Sequence, residues 1–138
     1  MNSSKLPEEV NSFLQSWTEN EQKNKQALQE LLGPILNNED VHLDFKPRPG
    51  LTYSFRAWRK GQSRELFCMM DVIDDVPEER WLSVCFFADL INDPEEKGDI
   101  IPQGLLGDDG YCFDLDGYNS REVNYLLQRI EEAYQNAV

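Results

Sequence analysis

Val10, Phe13, Leu14 and Trp17 recur at i, i+3, i+4 and i+7, and Leu28, Leu31, Leu32 and Ile35 repeat that spacing eighteen residues later. Eighteen residues make five helical turns, so both clusters share a face and predict a helix from about Pro7 to Leu32. Pro7 suits a first turn, where its missing N–H would be unpaired anyway, and Gly33-Pro34 predicts the stop. The polar stretch Thr18 to Gln26 has two readings: the exposed middle of one long helix, or a break between two.

The period then changes from 3.6 to 2. Val41, Leu43 and Phe45 alternate with His42 and Asp44, and Leu51, Tyr53, Phe55 and Ala57 alternate with Thr52, Ser54, Arg56 and Trp58. Two half-buried strands joined by a turn at Lys46-Pro47-Arg48-Pro49-Gly50 are expected. Leu66 to Ile73 and Trp81 to Ala88 carry apolar residues on both faces, which predicts an interior pair of strands. Residues 92–110 hold four glycines and two prolines with no periodicity, so a long, functional or mobile loop is expected there. A short strand at Tyr111 to Leu115 and a closing helix from Ser120 to Asn136 follow, with Asn119 as N-cap and Glu122 three residues on. The reading is a single α+β domain over residues 1–138. It has an N-terminal helix, a roughly five-stranded, mainly antiparallel sheet, and a C-terminal helix packed on one face.

Charge changes the picture more than composition does. The chain of 138 residues carries a net charge of −13, which disfavours nucleic acid as a partner. Residues 41–64, however, hold six Lys and Arg against Asp44 alone, between acidic flanks. Segregation of this kind favours self-association or a protein partner. No apolar run approaches the roughly 20 residues of a membrane span, and the N-terminal residues lack a basic start followed by an apolar stretch; a soluble, cytoplasmic protein is expected. Cys68, Cys85 and Cys112 each lie among large apolar residues and are odd in number, so reduced core thiols are expected.

Candidate chemistry is sparse. Arg48, Arg56, Trp58 and Arg59 form a basic and aromatic hairpin suited to anionic or protein ligands. Leu105 and Leu106, with Ile100 and Ile101, either dock on the domain or form an apolar patch in an acidic frame. Asp93, Glu95, Glu96 and Asp99 are the metal candidates, since clustered carboxylates suit hard cations. They do not match an EF-hand ladder. The glycine spacing Gly104, Gly107, Gly110 has no lysine and sits beside Asp108 and Asp109, which disfavours a phosphate loop. His42 is the sole histidine and has no nucleophile tied to it, so no catalytic set and no cofactor are assigned.

In architecture this reading resembles two themes. One is the frataxin-like iron-handling domain, whose acidic first helix faces the metal; here Glu8, Glu9, Glu19, Glu21 and Glu30 occupy the first helix together with Lys23 and Lys25. The other is the small acidic dimeric chaperone of bacterial secretion systems. The leading functional expectation is a non-enzymatic binding or interaction module, chaperone-like or an adaptor. The alternatives are a metal-handling acidic protein and, more weakly, an enzyme acting on a small anionic molecule.

Overall fold

The computed structural model describes residues 8–138; the expected first turn at Pro7 lies outside the described residues. Of the two readings of the polar stretch, the break is the one found. Helix α1 runs Glu8–Ser16 and helix α2 Asn24–Leu36. Ser16 Oγ donates to the Phe13 carbonyl (2.8 Å), satisfying an acceptor at the end of α1. Glu19 then turns back on α2, its carboxylate accepting from the N–H groups of Lys25 and Gln26 (3.2 and 2.9 Å). A carboxylate there satisfies orphan donors and complements the helix dipole. The expected stop at Gly33-Pro34 does not occur. Proline so near the end removes one donor only, and the last turn closes through the Asn37 N–H to the Gly33 carbonyl (3.1 Å).

Among the described residues the sheet has six strands: β1 Val41–Arg48, β2 Thr52–Arg59, β3 Cys68–Ile73, β4 Trp81–Phe87, β5 Asp99–Leu105 and β6 Asp108–Leu115. Their order is β1-β2-β3-β4-β6-β5, and every pairing is antiparallel. The meander of the first four strands and the interior position of β3 and β4 agree with the sequence reading. The expected structureless loop 92–110 does not: most of it is the β5–β6 hairpin. Its sequence hid this because β5 is an edge strand with Pro102, Gly104 and a register shift between Ile101 and Leu105. Six of its seven residues are exposed, so no alternation was needed.

Helix α3, Ser120–Asn136, begins as expected, with the Asn119 side chain accepting from the N–H groups of Arg121 and Glu122 (3.0 and 3.1 Å). Among the described residues, helices α1, α2 and α3 cover one face of the sheet. Phe13 of α1 packs on Phe45, Tyr53 and Phe55, Tyr125 of α3 on Phe113, and the α2 leucines complete the same cluster. Arg80 is held within this layer. Its guanidinium pairs with Asp74 (2.7 Å) and lies 5.1–5.4 Å from the ring centroids of Phe13, Trp17 and Tyr53. Among the described residues, no helix is long and apolar enough to cross a membrane.

Candidate functional site

Register decides which side chains share the second face. Cross-strand partners point to the same side, and Phe45, Phe55, Met70, Val84 and Phe113 form one continuous row beneath the helices. The residues between them therefore face away from α1, α2 and α3. Three rows cross the middle of that open face, and a fourth, with His42 and Trp58 on β1 and β2 and Phe87, Gly110 and Ile101 on β4, β6 and β5, borders it. Arg48, Thr52, Ile73 and Trp81 form the first, and Lys46, Ser54, Asp71, Ser83 and Asp114 the second. Asp44, Arg56, Met69, Cys85, Cys112 and Asp99 form the third, which spans all six strands.

The rows have a polar framework at the β1–β2 side. His42 and Trp58 stack with centroids 4.3 Å apart, and Trp58 Nε1 donates to Asp44 (3.2 Å). Arg56 Nε donates to Ser54 Oγ (3.2 Å), which holds the guanidinium along the sheet surface. The centre is more apolar: Met69, Ile73 and Trp81 are half-buried with no helix over them. Asp71 lies among them. Its Oδ1 is buried and accepts no hydrogen bond. Burial pushes its carboxyl above the usual range, while the Ser54 hydroxyl and the charges of Arg56 and Arg48 pull the other way.

Cys85 and Cys112 face each other across β4 and β6 and are paired as a disulfide, Cα atoms 4.1 Å apart. This corrects the expectation of three separate core thiols. Register, which local flanking residues do not reveal, brings the two together on the open face. Cys68 alone is a buried free thiol, its pKa raised by desolvation and then by Asp71.

The predicted binding residues divide. Arg48, Arg56 and Trp58 share the open face, but Arg59 is on the helix side, where Nη1 donates to the Tyr134 carbonyl (3.0 Å) and the guanidinium covers the Tyr134 ring. Leu105 docks, at 2% exposure, whereas Leu106 stays 49% exposed and Ile100 and Ile101 remain 57% and 42% exposed. Leu106 and Gly107 form the hairpin tip with φ of 51° and 91°. The glycine-rich segment is thus a tight turn rather than a cradle.

The four metal candidates do not face a common point. Asp93 is a clasp on the helix side, accepting from Tyr111 Oη (2.8 Å), Tyr125 Oη, and the N–H groups of Lys97 (3.1 Å) and Gly98 (2.8 Å). Desolvation acts upward on its carboxyl, but these donors outweigh it and lower the pKa to about 2. Tyr111 is pushed up to about 12 by the same hydrogen bond. Gly98 fits beneath because an added Cβ would meet the Phe113 and Tyr111 rings at 2.7 and 2.8 Å. Glu95 reaches toward Lys97 Nζ (3.8 Å), Glu96 is exposed with φ of 52°, and Asp99 belongs to the open face. Among the described residues, no three His, Cys, Asp or Glu side chains converge to hold a metal ion.

Concavities are modest. A crevice of about 100 Å³ between α2 and α3 is lined by Ile35, Phe67, Leu127 and Tyr134, well below the roughly 300 Å³ at which small-molecule sites begin. A recess of about 330 Å³ is lined by Asp89, Asp108 and Asp109, and its one cation, Arg64, already pairs with Asp89 (2.5 Å) and approaches Asp108 (3.9 Å). Its acidic lining would repel an anion. Asp71 is the residue that sequence reasoning missed; a lone carboxylate inside the apolar run 66–73 was the available signal. Compared with protein-family models, curated proteins and solved structures, the chain matches none.

Proposed function

We propose that this chain is a non-enzymatic interaction module of the adaptor or chaperone kind, and that its working surface is the open face of the sheet together with the β5–β6 hairpin. The observation that carries the reading is one-sided cover. Three helices pack on one face, while Met69, Ile73 and Trp81 stand half-exposed at the centre of the other. A broad, nearly flat surface with aromatic and sulfur-containing side chains at its centre and charges around it suits a polypeptide better than a small molecule. Trp81 is the natural anchor, since interface energy concentrates in central aromatic residues.

Site-directed photo-crosslinking in the source cells tests this. A crosslinking side chain at position 69 or 73 is expected to trap a polypeptide, whereas one at Gln128 on the exposed side of α3 is not. Equal trapping at both faces, or none at positions 69 and 73, would sink the reading. We also place the module in the cytoplasm, a reducing environment in which the Cys85–Cys112 bridge would open to two thiols. Rapid alkylation on lysis is then expected to label both; labelling of neither would move the protein to an oxidising compartment.

A further inference from the structure

We infer that Cys85 and Cys112 form a thiol–disulfide exchange site on the open face, entered through Cys112, and that it takes small thiols and disulfides bearing neutral or cationic substituents in preference to anionic ones. The inference rests on the pairing of the two cysteines and not on the reading of the face as an interaction surface. Its starting point is unequal access. Cys85 is 5% exposed, whereas Cys112 is half-buried on the face that, among the described residues, no helix covers. Cys68 is buried and shares the helix side with Ala57, so it supplies no resolving thiol to the pair.

Attack on a disulfide is a displacement at sulfur, with the incoming thiolate roughly in line with the bond that breaks. From Cys112 that line leads away from β4 and over β5, where Asp99 stands directly opposite Cys112. Directly opposite residues have Cβ atoms about 5 Å apart. Asp114 flanks Cys112 two positions along β6, and both carboxylates are exposed. The substituent of an incoming thiol therefore lies against two negative charges. The cations of the face do not offset them. Arg56 is three strand spacings from Cys112, about 14 Å and beyond the screening length at physiological salt. Arg64, over the Phe87 ring, is paired with Asp89 and approaches Asp108.

A thiolate RS⁻ bonds to Cys112 Sγ as the bond between Cys112 and Cys85 breaks, and the electron pair of that bond leaves on Cys85 Sγ. Ser83 Oγ, 3.6 Å from that sulfur, is placed to donate to the departing thiolate. A thiolate left on Cys112 would instead face Asp99, while Asp71 and Asp114 stand only diagonal to Cys85. A second RS⁻ attacks the R sulfur of the mixed disulfide and releases RSSR and the Cys112 thiolate. The two protons given up by RSH end on Cys85 and Cys112. The bridge gains two electrons as two RSH become RSSR, and the reverse reaction closes it with RSSR as oxidant.

The full chain, its bridge closed with hydroxyethyl disulfide, is treated with cysteamine, mercaptoethanol or mercaptopropionate, quenched with N-ethylmaleimide and mapped by mass spectrometry. Each rate is divided by that of the same thiol with hydroxyethyl disulfide, which removes differences in intrinsic nucleophilicity. The thiol adduct is expected on Cys112, with N-ethylmaleimide on Cys85. The normalised rate for cysteamine is expected to exceed that for mercaptopropionate by at least about tenfold in about 20 mM salt, and by less than about threefold in about 500 mM NaCl. In a variant carrying Asp99→Asn and Asp114→Asn, folded by circular dichroism, the low-salt ratio is expected to fall below about threefold.

An adduct found on Cys85 overturns the inference, as do equal normalised rates at low salt or a selectivity that survives the loss of both carboxylates. A bridge that hydroxyethyl disulfide does not close, or that none of the three thiols opens, overturns it as well.

Discussion

Asp71 and Ser83 occupy directly opposite positions on β3 and β4, at the middle of the sheet face that, among the described residues, no helix covers. Ser83 Oγ lies 3.6 Å from Cys85 Sγ, while Asp71 Oδ1 is buried without a partner. A buried acceptor left unpaired costs on the order of 1–3 kcal/mol. The chain carries that cost at the centre of its uncovered sheet face.

Asp71→Asn is accordingly expected to stabilise the monomer by about 1 kcal/mol at neutral pH. Its folded-state pKa is raised, so the carboxyl contributes favourably below its unfolded pKa, and that contribution is lost as pH rises through the folded value. Urea denaturation at pH 4 and pH 7 in high salt should show the variant's advantage at pH 7 alone.

Leu106 is a non-glycine residue in the left-handed region at the first position of a two-residue hairpin turn. Asparagine adopts that conformation readily and leucine does not. Leu106→Asn should raise stability by about 1 kcal/mol in thermal or urea unfolding. A decrease would show that the exposed leucine side chain contributes packing that outweighs its backbone strain.

The Asp93 clasp ties the segment before β5 to β6 and α3 through two tyrosine hydroxyls and two backbone N–H groups. Asp93→Asn should cost about 2 kcal/mol, because hydrogen bonds to a charged acceptor are lost or weakened. Its folded pKa is depressed to about 2. The stabilisation it supplies is therefore present above the unfolded value near 4 and lost as pH falls from about 4 to about 2. A wild-type acid titration should lose tyrosine burial in this window, and the variant should not show that step.

Reduction of Cys85–Cys112, which are 27 residues apart in sequence, should cost about 3 kcal/mol in unfolding free energy. Circular dichroism of the reduced chain should nevertheless remain native at 25 °C, because β4 and β6 stay paired by their own ladder from Leu82↔Leu115 to Phe87↔Gly110. Loss of secondary structure on reduction would show that the bridge, and not the ladder, holds the two strands together.

Local chemistry alone determined much of this protein. The amphipathic clusters of α1, α2 and α3, the alternation in β1 and β2, the apolar runs of β3 and β4, and the Asn119 cap each obey a rule satisfied within a few residues. The α+β class followed from their order. The acidic balance and the basic island at residues 41–64 were equally plain in the sequence.

Tertiary structure decided what depends on register and on contacts between distant segments. Edge strand β5 pairs with β6 alone among the described residues, so its sequence was free of the alternation that marks a strand. Cys85 and Cys112 became a pair only because β4 lies beside β6, and Arg59 was turned from a surface candidate into a clamp on α3. The open face itself was invisible locally: a side chain's period tells which neighbours it accompanies, but only the packing of α1, α2 and α3 on one side left the other without a helix among the described residues.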